Sequence, residues 1–328
     1  MMKRYSDDEK VLKEYTFIDL FCGIGGFHLA LSSLGAKCVF ASDINKRACD
    51  IYYKNFKMRP HGDIKRIKNK EIPAHDILCA GFPCQPFSIS GNQKGFDDKN
   101  GKLFFEIIRI ARFHKPKIIF LENVSNLEVH DSGKTLETIK QKLKGIGYKT
   151  FASVLNASDF GVPQARKRMY IIAFRNNLKV KDFVFPENDG NVKCVKDILL
   201  DAVDSKYTIH REDIVIYDNS KHKKTNQLIR IGSIGPGRQG ERIYSIYGQA
   251  TTLSSQGGGP GGKTGIYKVG DTVRILSPRE CARAMGFPDR FKLAESDFEA
   301  YTQFGNSVVV NVIQQIAVAA AKYLKRES

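Results

Sequence analysis

Over the first 185 residues, short apolar runs alternate with segments in which apolar residues recur at helical spacing. Short apolar runs bounded by polar residues predict buried strands at 17–21, 38–43, 77–80, 118–121 and 169–174. Apolar residues at helical spacing predict helices at 27–34, 103–113 and 134–144. Strands separated by helices are typical of βαβ units. The pattern therefore predicts an α/β fold with a Rossmann-like, doubly wound and mostly parallel sheet.

The pattern changes after residue 190. Residues 232–270 hold 12 of the 28 glycines, far above the usual ~7%, among short apolar runs such as Arg242–Ser245. This composition favours a second, smaller domain of short strands and close-approach loops over a flexible linker. A final helix at 308–324 is expected to pack on the first domain. We expect a catalytic and cofactor-binding domain at 1–190 plus 305–328, and a recognition domain with a hinge at 191–304.

Charge and composition narrow the class of protein. The 52 Lys and Arg exceed the 35 Asp and Glu by 17, and such a surplus favours a polyanionic partner. No apolar run reaches the ~18 residues of a membrane span, and the charged first 15 residues hold no apolar signal core. We therefore expect a cytoplasmic protein with no membrane contact.

The seven cysteines form no C-x-x-C pair, and the seven histidines are scattered. This spacing supports neither a disulfide framework nor a metal site, so no metal is expected. If a cysteine has a chemical role, it acts singly.

A glycine turn follows the first predicted strand. Its sequence, residues 21–26 (FCGIGG), lets backbone approach a ligand closely, and Asp43 ends the next strand, where an acid can accept hydrogen bonds from ribose hydroxyls. Asp63 follows at the end of a further extended segment. The turn lacks the G-x-G-x-x-G spacing that binds a pyrophosphate at a helix N-terminus. This absence favours S-adenosylmethionine over NAD as the ligand. By itself the turn could equally be structural.

Cys84 lies between Pro83 and Pro86 in the loop that leaves the strand ending at residue 80. The prolines stiffen the backbone at the carboxyl edge of the sheet, where α/β folds bind ligands. Cys79, within the apolar run, should be buried and inert. Glu122 closes the next strand after four apolar residues, so its side chain and that of Cys84 should meet over one sheet edge.

Two arginines precede the last predicted strand. Arg166 and Arg168 would share a face of an extended segment and could hold a phosphate or a base carbonyl. A solvated basic edge is the alternative interpretation.

Six motifs in order resemble those of the DNA cytosine-5 methyltransferases almost from end to end: 21–26, 83–85, 122–124, 164–168, 278–283 and 305–308. The chain is most similar to the HhaI-type bacterial modification enzymes. The resemblance implies covalent catalysis, in which Cys84 adds to carbon 6 of cytosine and Glu122 hydrogen-bonds N3 and the exocyclic amine. It also implies that Arg166 contacts the cytosine O2, with Arg168 beside it in the same motif.

The resemblance also implies a cofactor and a substrate. Cofactor-binding residues carried over from the motifs are Phe21, Gly23, Ile24, Gly25, Gly26, Asp43, Ile44, Asp63, Ile64, Pro83 and Asn306. The target cytosine must leave the DNA duplex to be methylated. Gln239 would fill the gap that it leaves, with Ser90 approaching from the other side and Ser88 close by in the same loop. Arg242 would read a guanine edge, and Thr252 would brace the recognition loop.

Residues 237–245 resemble the HhaI-type recognition loop closely enough to suggest the target GCGC, with the inner cytosine modified. Two positions depart from that subgroup. Gln256 stands where an aromatic residue is expected, which affects the reading of the outer bases. Asp43 and Ile44 replace a Glu–aromatic pair, which predicts weaker cofactor binding.

Three alternatives remain open at this stage: a transfer RNA cytosine-5 methyltransferase, a catalytically silent DNA-binding protein of the same fold, and an NAD-dependent oxidoreductase. A monomer is the simplest expectation, since one active site handles one flipped base. A restriction endonuclease that acts on the same site is a possible companion, with no direct contact implied.

Overall fold

The computed structural model describes residue 6 and residues 10–82, 103–188 and 190–324. Four of the predicted site residues, Pro83, Cys84, Ser88 and Ser90, lie outside these ranges. Within them the chain forms two compact units. The six-stranded unit comprises the described parts of residues 4–155 and 313–328 together with Lys167–Pro186, and the five-stranded unit comprises Asn156–Arg166 and Glu187–Val312. The predicted functional boundaries at 190 and 305 stay a prediction.

The six-stranded unit is built on a mixed, mostly parallel sheet with the strand order β2-β1-β3-β4-β6-β5. Its strands are β1 (Thr16–Leu20), β2 (Lys37–Ser42), β3 (Ile77–Gly81), β4 (Ile118–Val124), β5 (Tyr148–Asn156) and β6 (Lys167–Arg175). Strands β1 to β4 pair in parallel, and β6 pairs with β4 in the antiparallel direction. An α/β architecture is thus confirmed, and five of the six strands coincide with the predicted apolar runs.

The helices of this unit are α1 (Gly26–Ser33), α2 (Lys46–Phe56), α3 (Leu103–His114) and α4 (Lys134–Lys144). Helix α1 buries every residue from Gly26 to Leu31, whereas the other three helices each bury one face. Helix α3, for example, buries Phe104, Ile107 and Ala111 completely. These side chains join Ile18 and Leu78 of the sheet in one core, because a helix with apolar residues at i, i+3 and i+4 presents a single face to a sheet. The core fixes the strand ends that carry the site.

The five-stranded unit contains a second sheet with the order β11-β10-β9-β8-β7. Its elements are β7 (Ile214–Ile216), β8 (Arg230–Ile234), β9 (Arg242–Ser245), β10 (Ile266–Val269), β11 (Thr272–Ile275), α5 (Pro278–Ala284) and α6 (Asp297–Asn306). A small core of Ile231, Ile234, Ile243 and Ile266 lies under the sheet. The glycine-rich segment is therefore folded, as predicted.

The last helix, α7, spans Val310–Leu324, close to the predicted 308–324. The helical stretch Asp297–Leu324 is long and apolar enough to cross a membrane by length and composition, but 72% of its most apolar window is buried within the protein. A buried core helix of a soluble protein has the same composition, so this stretch is weak evidence for a span.

Candidate active site

The glycine turn occupies the carboxyl end of β1. Phe21 (φ 55°), Gly23 (φ 52°) and Gly25 (φ 91°) all have left-handed backbone conformations, which reverse the chain between β1 and the first turn of α1. A Cβ on Gly25 would lie 2.2 Å from the Phe56 ring, whereas a Cβ on Gly23 would have no heavy atom of the described residues within 4 Å. Gly25 thus permits close packing, and no described residue packs against Gly23.

Asp43 ties the turn to the end of β2. One carboxylate oxygen accepts the Gly23 N–H at 2.8 Å, and the other accepts the Asn45 N–H at 2.8 Å. Burial raises the pKa of the Asp43 carboxyl, while these hydrogen bonds lower it. Each oxygen keeps a further lone pair that can accept a hydrogen bond from a hydroxyl group.

Further predicted cofactor residues surround this turn. Ile44 exposes 75% of its surface, which is unusual for a large apolar side chain, whereas Ile24 and Ile64 are buried. Asp63 caps the short helical turn Ile64–Arg66 by accepting the Lys65 N–H. Asp63 and Ile64 therefore already have structural contacts of their own, whereas Ile44 presents an uncovered apolar surface.

Glu122 lies near the carboxyl end of β4, directly opposite Gly81 of β3. Only 9% of its surface is exposed, and one carboxylate oxygen lies 3.4 Å from Nε of Arg168 on β6. The structure thus brings together two of the predicted catalytic residues, as a largely desolvated ion pair. The chain enters the motif that holds Cys84 two residues after Gly81.

Asn123 is a site residue to which the sequence alone assigned no role. It is buried, and its amide donates to the Phe82 carbonyl at 3.3 Å while its Oδ1 accepts the Val124 N–H at 2.8 Å. Phe82 is the last residue described before the segment 83–102. Asn123 therefore ties Phe82, the residue after β3, to the end of β4.

Arg166 differs from its neighbour Arg168. It precedes β6, exposes only 2% of its surface, and donates to the carbonyls of Leu253, Gly305 and Ser307 at 2.8–3.0 Å. These bonds hold backbone within the five-stranded unit. The expected contact of Arg166 with a base carbonyl is at odds with this geometry, because the guanidinium already serves three buried carbonyls.

The predicted DNA-reading residues lie in the five-stranded unit. Gln239 begins a short helical turn whose start is held by Glu241, which accepts the Arg238 N–H at 2.8 Å. Arg242 opens β9, and its Nε is buried with no hydrogen-bond partner among the described residues. An unpaired guanidinium nitrogen is costly to bury. A ligand that accepts a hydrogen bond from this N–H would therefore be favoured there.

Two glycine-rich loops pack backbone against backbone beside Gln239. The Gly261 N–H donates to the Gly240 carbonyl at 2.8 Å, and a Cβ on Gly240 would lie 2.2 Å from the Gly258 carbonyl oxygen. Only glycine permits this approach. The packing joins residues 237–242 and 257–262 into one loop pair.

Other predicted residues have simpler surroundings. Thr252 donates its hydroxyl to the Ala165 carbonyl, and Asn306 is exposed at the end of α6. Gln256 is exposed as well, on the second glycine-rich loop.

Asp19 is a buried acid that the sequence prediction did not single out. It lies in β1 and is almost fully buried. Burial raises its pKa well above the usual range; a backbone hydrogen bond from His28 opposes this shift, and the charge of Asp43 adds to it. The signal in the sequence is an acid inside the apolar run 17–21. Cys79 is fully buried, as predicted, and burial raises the pKa of its thiol well above the usual range. That it is inert stays a prediction.

Comparison with known proteins identifies the class of protein to which this fold and site belong. A family model described as C-5 cytosine-specific DNA methylase matches residues 15–322. The chain therefore belongs to this family and is a DNA (cytosine-5)-methyltransferase, as predicted.

Individual relatives agree with this assignment. The chain is 51% identical to the type II methyltransferase M.HhaI of Haemophilus parahaemolyticus over 310 residues, 94% of this chain and 95% of the relative. It is 39% identical to the type II methyltransferase M.DsaV of Dactylococcopsis salina, over 95% of this chain and 87% of the relative.

Solved structures support the fold alone. The S. pombe Dnmt2 methyltransferase matches 95% of this chain and 99% of its own, with a TM-score of 0.71 and 23% identity. The Entamoeba histolytica methyltransferase EhMeth matches 96% of this chain and all of its own, with a TM-score of 0.74 and 21% identity.

The family implies S-adenosylmethionine as methyl donor, and the residues present fit this molecule. Within the described ranges, no residue fills the space beside Gly23. The Asp43 carboxylate can accept hydrogen bonds from ribose hydroxyl groups. The exposed Ile44 offers an apolar surface for the adenine.

Proposed function

We propose that this enzyme methylates carbon 5 of a cytosine flipped out of duplex DNA, through a transient covalent bond between Cys84 and carbon 6 of the ring. The observation that carries the proposal is the Glu122–Arg168 pair at the carboxyl end of β4, opposite the strand that leads to Cys84. This arrangement supplies an acid and a cation where the motif resemblance requires contacts to a pyrimidine.

When bound, S-adenosylmethionine supplies an electrophilic methyl group, with S-adenosylhomocysteine as the leaving thioether and product. Carbon 5 of cytosine is a weak nucleophile, and addition of the Cys84 thiolate to carbon 6 moves electron density to carbon 5. Glu122 hydrogen-bonds N3 and the exocyclic amine and favours protonation of N3 as the thiolate adds. After carbon 5 is methylated it loses its proton, the electrons of that C–H bond restore the 5,6 double bond, and the Cys84 sulfur leaves.

Arg168 takes the role that the motif resemblance gave to Arg166. Its guanidinium lies 3.4 Å from the Glu122 carboxylate, so it can fix the orientation of that group and donate to the cytosine O2. Arg166, in contrast, donates to three backbone carbonyls. We therefore assign Arg166 to the support of the five-stranded unit.

We further infer that Gln239 and Arg242 read the duplex and that GCGC is the target sequence. The buried, unpartnered Nε of Arg242 supports a hydrogen bond to a guanine edge, and the 51% identity to M.HhaI supports a shared specificity. The functional domains proposed are 1–190 plus 305–328 and 191–304.

Covalent catalysis is tested with DNA that carries 5-fluorocytosine, whose carbon 5 cannot lose a proton. Wild type should form an adduct that survives denaturation, and Cys84→Ser should form none. Cys79→Ala serves as the matched control, because that thiol is fully buried. An adduct in Cys84→Ser, or turnover equal to wild type, would remove the nucleophile assignment.

Specificity is tested by bisulfite sequencing of plasmid from cells that express the enzyme. Methylation should fall on the inner cytosine of GCGC, and the plasmid should resist a nuclease that cuts there. Methylation at other sites alone would contradict the GCGC assignment without affecting the mechanism. Incubation with transfer RNA and labelled methyl donor tests the RNA alternative, in which label enters RNA only.

The cellular context follows from the substrate. The bacterial type II relatives act as modification enzymes, so we infer a cytoplasmic monomer that associates with the nucleoid when it binds DNA. A restriction endonuclease of the same specificity is the expected companion.

A further inference from the structure

The Arg109 side chain on α3 joins that helix to the 64–69 segment, which follows Asp63. Its guanidinium donates to the Ile64 carbonyl at 3.1 Å and to the Ile67 carbonyl at 3.2 Å. It also donates to the side-chain oxygen of Asn69. Only 31% of the Arg109 side chain is exposed, and hydrogen bonds from a charged donor are about twice as strong as neutral ones. One residue of α3 thus holds three successive points of a segment that contains no strand.

Glu106, one turn earlier on α3, orients this guanidinium. Its carboxylate accepts a hydrogen bond from Arg109 Nε at 2.8 Å, which leaves both terminal nitrogens for the 64–69 segment. A guanidinium is planar and presents its five N–H donors in fixed directions, whereas the ammonium of lysine has three donors at one point. Arginine can therefore serve all four acceptors at once, and lysine cannot.

The 64–69 segment has few backbone bonds that hold it in place. It runs between two short helical turns, Ile64–Arg66 and Asn69–Glu71, and the Ile67 N–H donates to the Ile64 carbonyl at 3.3 Å. The buried Ile64 side chain supplies an apolar anchor. Single helical turns are not stable by themselves. The position of this segment therefore depends on side chains from its neighbours, and Arg109 provides three of those contacts.

The chain that leads into this segment lies beside Asp43. The Asp43 N–H donates to the His61 carbonyl at 2.9 Å, and the His61 N–H donates to the Ala41 carbonyl at 2.8 Å. The His61 ring stacks on Phe40 of β2, with 4.6 Å between the ring centroids. Asp63 follows His61 by two residues, at most about 7 Å along the chain. Asp63 is therefore near the carboxylate that is assigned to the ribose.

We propose that Arg109 is a positioning residue for S-adenosylmethionine, which fixes the turn that carries Asp63 and Ile64 at the adenosine end of the cofactor site. The inference rests on the proposed assignment of these two residues to the cofactor. His61 anchors one end of the turn to β2, and Arg109 anchors the other end to α3. The cofactor then binds to a turn that is already ordered, which lowers the entropic cost of binding.

The test variant is Arg109→Lys, which keeps the charge and most of the aliphatic stem but offers too few donors. Arg112→Lys is the matched control, because it makes the same exchange at an exposed position one turn later on α3. Calorimetry should show about tenfold weaker binding of S-adenosylmethionine to the test variant and unchanged binding to the control. Adenosine, measured by competition, should lose affinity by the same factor, because the perturbed turn lies at the adenosine end.

Two measurements distinguish a positioning role from a purely structural one. In steady-state methylation by Arg109→Lys, the KM for S-adenosylmethionine should rise about tenfold, with kcat at saturating cofactor unchanged. The second measurement is a double-mutant cycle with Asp63→Ala. In that background Arg109→Lys should cost less cofactor affinity than it does in wild type, because both residues act through the same turn.

Wild-type affinity for S-adenosylmethionine in Arg109→Lys would overturn the proposal, whether or not urea unfolding shows a loss of stability. The full loss of affinity in the Asp63→Ala background would also overturn it, since Arg109 would then act through another part of the protein. If Arg109→Lys does not fold, Asn69→Ala removes one acceptor of the guanidinium and should weaken cofactor binding in the same direction. Unchanged affinity in a folded Asn69→Ala protein would overturn the proposal.

These binding measurements use neither DNA nor the Cys84 thiol. Failure of wild type to form an adduct with 5-fluorocytosine DNA would overturn the proposed mechanism and leave the role of Arg109 to be decided by calorimetry. Adduct formation by wild type, together with unchanged cofactor affinity in Arg109→Lys, would overturn the inference about Arg109 alone.

Discussion

Alanine substitutions at two glycines of the turn after β1 test whether this turn binds a ligand or only reverses the chain. Gly23 and Gly25 both have positive φ, 52° and 91°, so an alanine at either position costs about 1–2 kcal/mol of backbone strain. They differ in what the new methyl group would meet. At Gly25 it would lie 2.2 Å from Cε2 of Phe56 and 3.0 Å from Tyr52. At Gly23 it would meet no heavy atom of the described part of the chain within 4 Å.

Gly25→Ala should therefore cost more stability than Gly23→Ala. The Phe56 ring stacks on His28 with 3.9 Å between the ring centroids, so it cannot simply move aside, and overpacking adds about 1–3 kcal/mol. We expect a loss of about 2–5 kcal/mol for Gly25→Ala and about 1–2 kcal/mol for Gly23→Ala. Urea unfolding of both variants measures the difference.

Gly23→Ala should weaken cofactor binding, although it costs less stability than Gly25→Ala. Its methyl group would occupy the space assigned to S-adenosylmethionine, so calorimetry should show at least about tenfold weaker binding, or 1.4 kcal/mol, in a protein that is still folded. Gly23→Ala with wild-type affinity for the cofactor would refute the reasoning and make the turn structural. The Tm increase that the cofactor produces gives an independent reading of the same affinity.

Three further predictions concern other parts of the molecule. Arg168→Ala should lower kcat about 100-fold or more with little effect on cofactor Kd, because it removes the cation beside Glu122. Single-turnover kinetics measure the effect on kcat. A change confined to cofactor binding would contradict this prediction. Gly240→Ala should reduce discrimination between GCGC and altered sites, since its Cβ would lie 2.2 Å from the Gly258 carbonyl oxygen; methylation of substrates with one changed base measures it, and unchanged discrimination would show that the loop packing does not set specificity. Burial lowers the pKa of His28 from 6.5 to about 4, so between these values only the unfolded chain takes up a proton, and stability should fall as the pH drops through this range, by on the order of 3 kcal/mol. Urea unfolding from pH 7 to pH 4 should show a shallower decline in His28→Gln, and parallel curves would exclude His28 as the source.

The sequence by itself determined most of the elements of the fold and the position of the motifs. Buried runs such as 77–80 and 118–121 were predicted as strands because a central parallel strand is apolar on both faces. Within the six-stranded unit, two elements were not predicted. Strand β5 has mostly half-buried residues and thus no clear apolar run, and α2 has an amphipathic face within a segment that was interpreted only through Asp43.

The tertiary structure decided which side chains meet. Arg166 and Arg168 are two residues apart, and from the sequence they share one interpretation. In the fold, Arg168 pairs with Glu122, while Arg166 donates to carbonyls 87, 139 and 141 residues away along the chain. Arg109 likewise joins α3 to a segment 40 to 45 residues earlier in the chain. Local periodicity records only whether a side chain is buried, because burial repeats with the helix or strand. The partner of a buried guanidinium depends on chain crossings that no local pattern encodes.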